Sequence, residues 1–144
     1  MGQTAQALGT PATIDFEGKS YKLSPMTYDA QAEYEHFLED RALAALERQR
    51  PRLSDDEYAR KSDRLDRAIA AGVYSFGGGV CQESFKTLPG LKEIIFLCLN
   101  AADATVDRAL IDRMVEAKLV ELTAKTKALN ADPFPTPPTD NPSA

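Results

Sequence analysis

Few side chains in this chain are of a type and spacing able to do chemistry. Glu33-Tyr34-Glu35-His36 sets a glutamate three residues before a histidine, and Glu-x-x-His on two helices, with further glutamates, is how carboxylate-rich bundles hold a pair of iron ions. A single chain with one histidine cannot build that symmetric set, and His36 shares a charged helical face with Glu33 and Asp40. These residues read as solvated surface, and no metal or other cofactor is expected. His36 is also the only imidazole base available, and no surrounding motif marks an activated Ser or Cys. The chain is therefore not expected to be an enzyme.

Gly77-Gly78-Gly79 has the composition of a phosphate cradle, but no Gly-Lys-Ser or Gly-Lys-Thr follows it. Gln82 stands where a dinucleotide fingerprint would place its third glycine, so the stretch reads as a hinge loop. Arg48, Arg50, Arg52, Arg60, Lys61, Arg64 and Arg67 are the densest basic region, yet Asp55, Asp56, Glu57, Asp63 and Asp66 are interleaved with them. Binding a polyanion needs unbalanced positive charge, and the whole chain carries a net charge of -5, so nucleic acid is not expected as a partner. Cys81 and Cys98 are too few for a disulfide scaffold or a four-cysteine zinc site and read as reduced packing thiols.

The elements that must position these residues follow from periodicity. Residues 91–99 are organised for burial: Leu91, Ile94, Ile95, Cys98 and Leu99 form one helical stripe, and Phe96 and Leu97 lie off it. A helix apolar nearly all round must be surrounded, which makes this the central helix. At the N-terminal end Ile14 and Phe16 alternate with polar residues, Glu17-Gly18 supplies a tight turn, and Tyr21 and Leu23 alternate beyond it, the pattern of a β-hairpin. Thr27 can cap a surface helix running to about Arg48, with Tyr34, Leu38, Ala42 and Ala45 on its inner face and Pro51 at its end.

Ser54-Asp55-Asp56-Glu57 is a capping box opening a second helix, closed by Gly72. Its apolar stripe of Tyr58, Leu65, Ala68 and Ile69 is thin. The spacing predicts supporting pairs of Asp56 with Arg60, Glu57 with Lys61 and Asp63 with Arg67. Tyr74 to Gly79 is a loop, Val80 to Leu88 a short helix, and Pro89-Gly90 a turn into the central helix. Thr105 is the expected cap of a last helix reaching about Leu129.

That last helix carries two stripes: Leu110, Met114, Ala117, Ala124 and Ala128, and, turned away from it, Ile111, Val115, Leu119, Leu122 and Leu129. The second stripe is either part of one wide buried arc, with Lys118 and Lys125 snorkelling out, or a row of anchors for a partner. Ile111, Val115, Leu119 and Leu122, with Tyr74 and Phe76 of the glycine loop, are the candidate partner-binding residues.

The fold expected is mainly α, with a small N-terminal hairpin packed on a compact bundle of about four to five helices. Residues 1–12 read as a flexible arm, 13–130 as a single helical domain, and the proline-rich 131–144 as a disordered tail. The longest apolar run is far short of the roughly 20 residues of a membrane span, and no secretory leader is recognisable, so a cytoplasmic location without membrane contact is expected.

The run Ile14-Asp15-Phe16-Glu17-Gly18-Lys19-Ser20-Tyr21-Lys22-Leu23-Ser24-Pro25-Met26-Thr27-Tyr28, followed by an acidic helix, resembles the opening of tail assembly chaperones of long-tailed bacteriophages. The Pro89-Gly90-Leu91 turn before an apolar helix and the low-complexity end are similar to that group as well. The resemblance covers roughly residues 13 to 129. It implies a non-catalytic assembly factor that binds the tape measure protein, keeps it soluble and assists the tail tube protein to polymerise around it. It further implies residence in the host cytoplasm and absence from the mature virion, while the second stripe of the last helix, as a row of anchors, is a surface for partner binding or self-association. In that group a longer form is often made by ribosomal frameshifting. The alternative from another class is a structural virion component, a head-tail connector or tail completion protein.

Overall fold

The computed structural model describes residues 12–129. Of the expected arm only Ala12 lies among the described residues, as the first residue of a strand, and the expected tail from 131 lies outside them.

Strands β1 (Ala12–Phe16) and β2 (Lys19–Leu23) pair antiparallel, with Ile14 opposite Tyr21 and Phe16 opposite Lys19. Glu17 and Gly18 connect them at φ 50° and 78°. Two consecutive positive φ values make the two-residue turn whose twist matches that of the strands, and glycine at the second position adopts it without strain. Ala12, Ile14, Phe16, Tyr21 and Leu23 share the face toward the helices, while Thr13, Asp15, Ser20 and Lys22 are exposed on the other. A hairpin this small is not stable alone. Its anchors are Ile14 and Leu23, 1% and 0% exposed, and a hydrogen bond of 3.0 Å from the Ser24 N–H to the Cys98 carbonyl.

Helix α1 (Tyr28–Gln49) starts where the Thr27 hydroxyl accepts from the Ala30 N–H at 3.1 Å. Pro51 does not stop the chain abruptly at the end of α1. A short 3-10 turn, Arg50–Arg52, follows, with proline in its first positions, where no intrahelical N–H is needed. Helix α2 (Asp55–Ala70) opens on the expected capping box: the Glu57 N–H donates to the Ser54 hydroxyl at 3.1 Å and the Ser54 N–H to the Glu57 carboxylate at 2.9 Å. Gly72 follows at φ 79°. Of the three expected ion pairs only Asp63–Arg67 closes, at 2.8 Å. Glu57 is engaged in the cap, and Lys61 donates to Gln49 of α1.

Helix α3 (Gly79–Ser84) is shorter than the sequence suggests and takes Gly79 out of the loop as its first residue. Helix α4 (Leu88–Asn100) begins before Pro89-Gly90, which corrects the reading of that pair as a turn. Thr87 caps it, accepting from the Gly90 N–H at 3.2 Å, and Pro89 sits in the first turn, where a missing N–H costs nothing. The reason for glycine here is proximity: a Cβ on Gly90 would lie 2.1 Å from the Ser84 carbonyl oxygen and 2.9 Å from the Tyr34 hydroxyl. As expected, α4 is central. It packs against β2, α1, α3 and α5, and Ile95, Cys98 and Leu99 are wholly buried.

Helix α5 (Arg108–Leu129) departs from expectation twice. Its cap is Asp107, whose carboxylate accepts from the Leu110 N–H at 2.9 Å, whereas Thr105 folds back onto Asp103. The helix is also broken at Lys118, with φ −134° and ψ 35°. In an uninterrupted helix Lys118 would stand on the stripe of Ile111, Val115 and Leu122, and an ammonium cannot follow that stripe into the core. The break turns it outward to pair with Glu121 at 3.8 Å.

Candidate functional site

Four of the six candidate partner residues are core. Ile111, Val115, Leu122 and Phe76 are 2%, 4%, 0% and 5% exposed, so the reading of a second, accessible stripe on the last helix is corrected. Leu110, Ile111, Met114 and Val115 are buried together, forming one wide inner face against α4. The first-stripe residues Ala117, Ala124 and Ala128 are the ones left exposed. Leu119 alone of the six is open to water, at 41%, with its neighbour Val120 at 85%. Tyr74 is half-buried on the edge of the core.

Phe76 and the glycine loop are held by α1. The Phe76 N–H donates to the Glu35 carboxylate at 2.7 Å, and the Phe76 ring meets Tyr34 edge-on, with centroids 6.0 Å apart. Tyr34 also contacts Phe37 and Phe85, both at 5.4 Å, so four aromatic rings lock α1, the loop and the end of α3 together. Its hydroxyl is 2.7 Å from the Ser84 hydroxyl and donates to the Gly90 carbonyl at 3.3 Å. Burial of this ring pushes its ionisation up to about 12. The Glu33-Tyr34-Glu35-His36 stretch thus divides by function: Tyr34 builds the core, Glu35 pins the loop, and Glu33 and His36 remain in water. Gly77, at φ 88°, gives the loop its sharp bend, and the Gln82 side chain donates to its carbonyl at 3.1 Å.

The sequence reading missed Glu93. It is buried in the middle of the central helix and forms a two-pronged ion pair with Arg108, whose guanidinium lies 4.2 Å from the Phe96 ring centroid. The Glu93 side chain is only 8% exposed, against 63% for that of the arginine. A carboxylate among Ile94, Ile95 and Leu91 was a signal of burial with a partner, since an unpaired buried charge costs several kcal/mol. Nearby, Lys92 pairs with Asp112 at 3.0 Å. Around the hairpin, Glu17 pairs with Arg113 at 3.2 Å and Lys19 with Asp103 at 3.1 Å. Hydrogen bonds from Thr105 and then Lys19 hold the Asp103 carboxyl down to about 2.

Cys81 and Cys98 are thiols outside any disulfide, and both are wholly buried. Burial pushes the Cys81 thiol above its ordinary range, against the direction that activates a cysteine. Among the described residues no three His, Cys, Asp or Glu side chains are grouped to hold a metal ion, and no helix is long and apolar enough to cross a membrane.

Fold and surface together define a mainly α protein with a β-hairpin docked on a central helix. Compared with known protein families, curated proteins and solved structures, the chain matches none.

Proposed function

We propose that the protein is a non-catalytic tail assembly chaperone of a long-tailed bacteriophage, which binds the tape measure protein in the host cytoplasm and assists tail tube assembly without entering the virion. The observation that carries this reading is the run from Ile14 to Tyr28, where a hairpin leads through Ser24-Pro25-Met26 into a Thr27-capped acidic helix, as in that group. The helical body with its apolar central helix behind a Thr87-Leu88-Pro89-Gly90 start is compatible with it. Tape measure chains are long and rich in amphipathic helices, and such helices are recognised through rows of aliphatic anchors in a groove.

Co-expression with a tape measure fragment tests the reading directly: the fragment is expected to become soluble and to co-purify with the protein. A fragment that is insoluble both with and without this chain removes the basis of the proposal. Purified particles give the second check, because an assembly factor is absent from them. Recovery of the chain from particles in ring stoichiometry would instead favour a connector or tail completion protein.

A further inference from the structure

The break at Lys118 divides α5 into two segments with different anchorage. Before it, the helix is fixed to α4 by the buried row from Leu110 to Val115 and by the pairs Glu93–Arg108 and Lys92–Asp112. Beyond it, residues 119–129 lie along the hairpin: the Lys125 ammonium donates to the Thr13 carbonyl of β1 and pairs with Glu121 at 2.9 Å. The inward residues of this segment are Leu122 at 0%, Thr126 at 3% and the half-buried Leu129, a spacing of i, i+4 and i+7. Its first residues, Leu119 and Val120, face water.

We propose that residues 119–129 are a displaceable strap, and that the groove they occupy beside the β-hairpin is the docking site for an amphipathic helix of the partner with the same anchor spacing. The strap is too short to hold a helix by itself and depends on its few anchors. Because the helical ladder is already interrupted at Lys118, the strap can leave without unwinding residues 108–117. Once it leaves, the β1 side of a marginal hairpin is uncovered while β2 stays on α4, so the groove along β1 is open to the strap or to a helix resembling it. Competition between the two keeps the site closed until a partner helix arrives. The nature of that partner rests on the chaperone reading, whereas the strap and its groove do not.

Two measurements on the full chain test this. In amide hydrogen exchange, residues 119–129 should open well before α4, with protection lower by roughly tenfold or more. Leu122→Ala with Leu129→Ala should leave 119–129 almost unprotected while 108–117 stay protected along with α4. A labelled synthetic peptide of residues 119–129 is the binding probe: it should bind the double variant roughly fivefold or more tighter than the parent, whose own strap competes. Exchange of 119–129 and α4 in one cooperative step, or peptide binding that is absent or equal for both proteins, overturns the proposal. If the peptide binds as expected but a tape measure fragment binds neither protein, the chaperone reading fails and the strap stands.

Discussion

Tyr34 joins three elements through one side chain, with its ring among Phe37, Phe76 and Phe85 and its hydroxyl between Ser84 and Gly90. The pH dependence follows from linkage. The phenol ionises near 10.0 when exposed and near 12 in the folded chain, so between these values the native state holds a proton that the unfolded chain has released. Stability must therefore fall as pH rises through this window. Tyr34→Phe should cost about 1 kcal/mol at neutral pH for the lost hydrogen bonds, and its urea midpoint should then decline less steeply above pH 10 than that of the parent. Parallel decline in the two proteins would show that Tyr34 does not carry the effect. The same contact sets a limit at Gly90, where a Cβ would be 2.1 Å from the Ser84 oxygen, which is backbone and cannot swing aside. Gly90→Ala should destabilise by about 1–3 kcal/mol despite the better helix propensity of alanine, as overpacking does. A rise in melting temperature would contradict the close approach of α3 and α4.

Among the elements, those legible in the sequence are the ones whose determinants lie within a few residues of one another. Glu17-Gly18 specifies its turn, Ser54 and Glu57 their capping box, and Thr27 its cap, because each acts on backbone groups two or three positions away. The breaks in expectation are tertiary. Pro89-Gly90 looks like a turn until the proximity of Ser84 and Tyr34 explains a glycine inside the helix. Lys118 looks like a snorkelling lysine until the path of the core beneath it is known.

The candidate site suffered most, because helical spacing identifies residues that share a face but not whether another element covers it. Leu119 and Leu122 illustrate this: their spacing puts both on one stripe, and the break leaves one at 41% exposure and the other at 0%. Leu122→Ala should therefore lower stability by about 2–4 kcal/mol, while Leu119→Ala should change it by less than about 1. Thermal melts of the two variants are the check, and equal losses would mean that α5 continues straight through Lys118.

At the scale of the whole molecule the buried residues are unevenly distributed. The main core draws on the hairpin, the first half of α1, the loop at Phe76 and helices α3 to α5, whereas α2 contributes no fully buried residue. Leu46, near the end of α1, is buried but lies outside that core cluster. The distal part of α1 and α2 thus form an arm, joined by Tyr58 to Glu47, by Arg50 stacked 4.3 Å over the Tyr58 ring, and by Lys61 to Gln49 at 3.3 Å. Exposed polar contacts of this kind contribute little each, and regions with few buried apolar contacts open ahead of the rest. Ser54→Ala, which removes the capping box, should weaken α2 by about 1 kcal/mol and speed exchange of its amides. It should leave the urea midpoint of the body unchanged, because the body does not depend on α2 for burial. Ile95→Asp supplies the opposite case: a carboxylate with no partner at a wholly buried position costs several kcal/mol, against a total stability of about 5–15, and should abolish the fold of body and arm alike. If Ser54→Ala lowered the global midpoint as far as Leu122→Ala does, the arm would belong to the same cooperative unit as the core, and the division drawn from burial would be wrong.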